Sequence, residues 1–132
     1  MPWTGGANLG FTLPGVEPWL PVGDPAINVA DQHDDPGSVL NLTRASIALR
    51  RARPDLRESS YAAVEASDGI WAWRRGSDTL VVLNHSDGPI DEDVGPGEIL
   101  LSSQANRAGE RIQRWVRVEP WEALVIAEQT GD

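Results

Sequence analysis

Asp31, His33, Asp34 and Asp35 crowd into one short stretch, the kind of cluster from which a metal site or an acid–base pair is built. Pro36 follows directly, so Asp35 reads as a helix cap and the other three as solvated loop charges. Asp91-Glu92-Asp93 offers carboxylates to calcium, but the glycine and the distal glutamate of a calcium loop are missing, and the run reads as a charged turn. His85 has no serine or cysteine in a nucleophile pattern beside it and reads as a strand-end histidine. Trp71 and Trp73 lie two residues apart and so share one face of a strand. Exposed, such a pair stacks on sugar rings; covered, it packs the sheet. Spacing alone leaves both readings open. Asn41-Leu42-Thr43 and Asn84-His85-Ser86 match the glycosylation sequon, and both read as chance, since no secretory pattern opens the chain and the first lies in a predicted helix. No residue is assigned to catalysis, to a metal or to a cofactor.

The totals narrow the classes further. The chain has 132 residues, 40% hydrophobic and 23% charged, as a globular domain has. It contains no cysteine, which excludes disulfides and thiolate metal sites. The net charge is −9, with arginine as the only basic type besides the histidines, and most of the acidic excess follows residue 54. Nucleic acid and anionic membrane both need a cationic footprint, so neither is an expected partner. A cytoplasmic location is the expectation.

Residues 1–37 hold much of the proline and glycine and should not form regular helix or sheet for long. They nonetheless carry Trp3, Phe11, Trp19, Leu20, Val22, Ile27 and Val29, too many large apolar groups for a disordered tail. An ordered loop draped over a larger body fits better. A helix is predicted over 36–53, starting at Asp35-Pro36 and stopped by Pro54. Val39, Leu42 and Leu49 share one of its faces, with Leu40 and Ile47 beside it. Strands are predicted over 61–66, 70–74, 79–84, 98–103, 112–118 and 121–127, separated by turn signals such as Ser67-Asp68-Gly69 and Gly95-Pro96-Gly97. The expected fold is mainly β: an antiparallel, Greek-key-like β-sandwich preceded by a long loop and one amphipathic helix.

An ordered series of short motifs carries a resemblance. Met1-Pro2-Trp3, Asn8-Leu9-Gly10-Phe11, Pro18-Trp19-Leu20-Pro21-Val22 and Ile27-Asn28-Val29 resemble one continuous segment of the α-amylase superfamily, in its branch of α-glucosidases and oligo-1,6-glucosidases. There the segment follows the last strand of a (β/α)8 barrel. Asp35-Pro36, Ser38, Leu40-Asn41 and Ala48-Leu49-Arg50 resemble the last barrel helix. Leu80-Val81-Val82-Leu83-Asn84 and Glu122-Ala123-Leu124-Val125 resemble strands of the C-terminal β-sandwich.

The resemblance implies that residues 1–54 are the end of a barrel and residues 55–132 the sandwich domain. It implies also that the nucleophilic aspartate, the acid/base glutamate and the stabilising aspartate lie on earlier barrel strands, with no matching position here. The basic residue that usually precedes the opening motif is missing too, because the chain begins at its methionine; a fragment, a split gene or a late start codon is expected. Retaining glycosidases need two carboxyl groups about 5–5.5 Å apart, so the chain alone is expected to be inert. Trp3 is the residue the resemblance places nearest a substrate-side loop. The resemblance also implies that Trp71 and Trp73 pack against the sheet or barrel, which makes packing their preferred reading. The expected partner is a missing or separately encoded catalytic barrel, and a homo-oligomer through the loop and helix 36–53 is a further expectation. The alternatives are one half of a split glycosidase, or a stand-alone carbohydrate-binding module using Trp71 and Trp73.

Overall fold

The computed structural model describes residues 2–104 and 106–129. The chain divides into two compact units, Met1–Arg44 and Ala45–Asp132, with the division inside helix α2 (Val39–Ala52). In the first unit the opening residues are held by backbone bonds. The Trp3 amide donates to the Leu9 carbonyl at 2.9 Å, and the Val29 and Ala30 amides donate to the carbonyls of Pro2 and Trp3 at 2.9 and 3.0 Å. Those bonds lay the start of the chain between a tight 3₁₀ turn, Ala7–Gly10, and helix α1, Val29–Asp34. Gly10 has φ +78°, and a Cβ on it would come within 2.9 Å of the Trp3 Cβ, so glycine is required there.

Helix α1 interrupts the expected loop. Its cap is Asn28, whose Oδ1 accepts from the Asp31 amide at 3.0 Å while its Nδ2 donates to the Asp31 carboxylate at 2.6 Å. This is a reciprocal N-terminal lock at the spacing of a capping box, a signal that outweighed the prolines before it. Helix α2 begins at Val39, three residues after the predicted start. Ser38 is the capping residue, its hydroxyl accepting from the Asn41 amide at 3.2 Å. Asp35 accepts instead from the Gly37 amide at 2.9 Å, in the turn before the helix. Asn41 then ties that turn down: its Nδ2 lies 3.0 Å from the carbonyls of Gln32 and His33 and 2.8 Å from that of Asp35. Pro54 follows α2 as expected, and a short helix α3, Asp55–Glu58, comes after it.

The second unit is the sandwich. Among the described residues a six-stranded antiparallel sheet has the order β1-β2-β3-β8-β5-β6, and a second sheet pairs β4 with β7. The ranges are β1 Tyr61–Val64, β2 Ile70–Arg75, β3 Thr79–Asn84, β4 Ile90–Asp93, β5 Gly97–Ser102, β6 Arg111–Ile112, β7 Trp115–Val118 and β8 Ala123–Glu128. Strand β8 returns to lie between β3 and β5, as a Greek-key-like path requires. Alternation explains the layers. Ile70 and Ala72, Leu80 and Val82, and Leu124 and Ile126 point inward at every second residue. They meet Val116 and Val118 of the second sheet, with Ile99, Ile112 and Val94 closing the core. An extra residue at Leu100 shifts the register of β5, so that Ile99 opposes Ile126 inside and Leu101 opposes Val125 outside.

Three expectations are corrected here. Asp91-Glu92-Asp93 is not a turn but most of β4; Glu92 is buried, and its carboxylate accepts the Ser67 amide at 3.2 Å. The predicted strand 112–118 is two strands in different sheets, broken at Gln113-Arg114. Trp121 does not begin β8 but sits in the turn before it, at φ 58°.

Polar side chains fix the ends of the sandwich. Glu122 is fully buried, with Oε1 accepting from Ser102 at 2.6 Å and Oε2 from Arg107 at 2.8 Å and the Glu119 amide at 2.9 Å. At the other end Asp55 accepts from Arg53 and from the Thr79 hydroxyl. Burial pushes the Asp55 carboxyl up, but those hydrogen bonds and the Arg53 charge outweigh it and hold it below its usual range.

Two substitutions test this account. Gly97 lies between β8 and β6, and a Cβ on it would meet the Ala127 carbonyl oxygen at 2.6 Å. Gly97→Ala should therefore cost roughly 1–3 kcal/mol, read as a lower urea midpoint at unchanged slope. Arg107→Ala leaves the Glu122 carboxylate buried without its cation and should cost about 3–5 kcal/mol. Arg114→Ala, which removes the exposed pair with Asp93, should leave the midpoint within error. Equal effects of the two arginine substitutions would refute the assignment.

Candidate functional site

The first unit carries more apolar surface than it can hide. Leu9 is the one large aliphatic side chain of residues 2–44 that is buried. Trp3, Phe11, Leu13, Val16, Leu20, Val22, Ile27 and Val39 are all exposed, and Trp19 is 92% exposed. Phe11, Pro18, Trp19, Leu20, Pro21 and Val22 line a shallow apolar hollow of about 350 Å³. Helix α2 has no buried residue; Leu40, Leu42 and Leu49 are half-buried, while Val39 and Ile47 are exposed. Proteins rarely leave contiguous apolar area of this extent to water. Trp3 presents its ring outward while its backbone is bonded on both sides.

Among the loop charges, Asp31 serves the α1 cap, Asp35 the turn before α2, and His33 pairs with Asp34 at 2.8 Å, exposed. Asp31 and Asp35 thus serve local cap and turn geometry, and Asp34 an exposed ion pair.

In the second unit the outer face of the large sheet is aromatic at one edge. Trp71 and Trp73 point to the same side, as their spacing requires, with ring centroids 4.8 Å apart and planes tilted by 45°. Tyr61 of β1 continues the row, 6.5 Å from Trp73. Trp71 and Tyr61 are exposed and Trp73 half-buried. Cross-strand neighbours Val81, Leu83, Ala123 and Val125 extend the face, which is apolar throughout its middle. The tilt means that the two indoles cover part of one another rather than presenting one flat platform.

Two functional-looking residues escaped sequence reasoning. Asn84, half of an apparent sequon, is fully buried. Its Nδ2 donates to the Gly88 carbonyl at 2.8 Å and to those of Val118 and Glu119 at 3.1 Å. Its Oδ1 accepts from the Ser86 amide at 2.9 Å and hydroxyl at 2.8 Å. One side chain thus clamps the β3–β4 loop to the β7–β8 turn. Trp121 stands on that turn with a left-handed backbone, unusual for so bulky a residue and costing about 1–3 kcal/mol. The residue is 63% exposed, and its indole N–H donates to Asp87 Oδ1 at 3.0 Å. Pro120 directly before it was the available signal, since proline ends a preceding strand.

Comparison with known proteins gives these surfaces a context. No family model matches the chain. A stretch of 63 residues, 46% of the chain, is 43% identical to the probable oligo-1,6-glucosidase 2 of Bacillus subtilis (strain 168), of which it spans 11%. Among solved structures, 96% of the chain superposes on isomaltulose synthase of Klebsiella sp. LX3 with TM-score 0.81 and 25% identity. Isomaltulose synthase of Erwinia rhapontici NX5, in complex with D-glucose, matches over 96% of the chain with TM-score 0.79 and 26% identity. Trehalulose synthase of Pseudomonas mesoacidophila MX-45 matches over the same share with TM-score 0.79 and 28% identity. The chain spans about a quarter of each, 24%. In sequence and in fold, the chain resembles the C-terminal region, last barrel loop and helix plus β-domain, of an α-glucosidase-like glycoside hydrolase of the α-amylase superfamily.

Proposed function

We propose that the chain is the accessory C-terminal part of an α-glucosidase-type retaining glycoside hydrolase, working in the cytoplasm in carbohydrate metabolism, and that it is inert alone. The observation that carries the reading is the exposed apolar surface of residues 2–44 and α2. A segment that buries one aliphatic side chain and displays Trp19, Leu13 and Val39 has the composition of an interface rather than of a free surface. On this reading residues 1–54 complete a catalytic barrel, residues 55–132 brace it, and Trp3 stands near the substrate-side rim. The carboxylates that attack and protonate the glycosidic bond belong to the barrel, because such a pair must be held across the sugar by the ends of several barrel strands.

Without that barrel the same surface has a second copy as its nearest substitute. Covering the exposed Val39 and Ile47 would contribute up to about 1.5–3 kcal/mol each, and the half-buried Leu40, Leu42 and Leu49 roughly half as much. Against this stands an association cost of about 4–15 kcal/mol. A dimer through the loop and helix is therefore within reach, while the acidic strand region repels sheet-to-sheet contact.

The sugar-stacking reading of Trp71 and Trp73 keeps one observation in its favour, the exposure of Trp71. The tilt of the pair and the apolar residues around it favour a packing surface instead.

The purified chain should release no product from aryl α-glucosides or maltose above buffer. Turnover that persists through further purification and vanishes when a residue of this chain is changed would overturn the proposal. By light scattering at micromolar concentration the chain should self-associate, and Leu42→Asp should return it to a monomer. A monomeric wild type, or a dimer indifferent to Leu42→Asp, would remove the interface.

A further inference from the structure

Trp121 and Asp87 form a second aromatic site at the end of the sandwich, distinct from the Trp71–Trp73 row. The turn 119–122 holds Trp121 in the left-handed region, where glycine is the ordinary occupant. The ring recovers little of that strain by burial, since most of it faces water. Its one polar contact, with Asp87 Oδ1, is exposed. A strained residue persists where its surroundings over-determine it, and Asn84 supplies that constraint by bonding both segments that carry the pair. The Asn84 backbone N–H also donates to the Glu122 carbonyl at 2.9 Å, which ties the end of β3 to the same turn. The outcome is an indole face beside a carboxylate whose second oxygen has no bond among the described residues.

We propose that Trp121 and Asp87 form a surface site for an uncharged saccharide ring. The apolar face of a pyranose lies on the indole, and its hydroxyls donate to the Asp87 carboxylate. Indoles serve such amphipathic contacts because one face is apolar and the N–H edge is polar. The site is preorganised, so little ordering opposes binding. The acidity of the chain excludes polyanions as ligands. Only the choice of an α-glucan as probe rests on the proposed function; the activity and light-scattering results above are indifferent to this site.

The test is a titration of the ¹⁵N-labelled chain with maltotriose and, separately, isomaltotriose at millimolar concentration, following the tryptophan indole N–H signals. The Trp121 signal should move saturably. Trp121→Gly should abolish binding yet melt no lower than the parent, because glycine accepts the positive φ. Asp87→Ala should weaken binding several-fold, and Trp71→Ala should leave it unchanged. The proposal fails if neither sugar moves the Trp121 signal, or if binding survives Trp121→Gly. It fails also if the shifts belong to Trp71 and Trp73, or if Trp121→Gly melts well below the parent, which would make the indole a structural member.

Discussion

Apolar surface has to be covered, and the two units of this chain meet that demand differently. The sandwich covers its own. Ile99, Leu124, Ile126, Val82 and Val118 are all but sealed between two sheets whose strands alternate inward and outward residues. Each such side chain contributes about 1.5–3 kcal/mol, which is ample to hold a small β-domain together once its turns are in place. Residues 2–44 have local order without a core. Their shape is set by caps and turns, namely Asn28 on α1, Ser38 on α2 and Asn41 across the turn between them. Those bonds satisfy backbone groups but hide almost no hydrocarbon.

That contrast organises the functional reading. A polar-capped, apolar-surfaced segment followed by a self-contained sandwich is what the proposed reading expects of the end of a barrel and its β-domain. The superposition on isomaltulose and trehalulose synthases covers nearly all of this chain and 24% of theirs. The outer aromatic face of the large sheet and the exposed stripe of α2 then read as surfaces meant for covering. Trp121 differs from both, being held outward by a strained turn and a carboxylate contact.

Much of the sandwich was legible because alternation is a strong signal. Thr79–Asn84 was bounded correctly, since Leu80 and Val82 alternate with neighbours flanked by Asp78 and Asn84. Strand β4 was not, because three consecutive acids mimic a solvated turn; only pairing with β7 and burial of Glu92 reveal it. The start of α2 was misplaced because Asp-Pro is a good opening in general. The hydroxyl that reaches the free amide belongs to Ser38, and sequence does not show which of two nearby caps wins. The Trp71–Trp73 pair was visible from its spacing, whereas the tilt between the rings was not. Trp121 and Asn84 were illegible as a site: one needs a backbone angle that tryptophan seldom adopts, and the other joins carbonyls more than thirty residues away.

The central claim is that the sandwich stands on its own contacts while residues 2–44 depend on a surface they do not supply. Amide hydrogen exchange on the purified chain measures this most directly, since protection reports local opening free energy. Under conditions where the chain is monomeric, amides of β3, β5 and β8 should be protected to the level of global unfolding, and those of α1 and the 3₁₀ turn should exchange orders of magnitude faster. Equal protection across both units would contradict the account, because it would mean that residues 2–44 are stabilised as fully as the sandwich core.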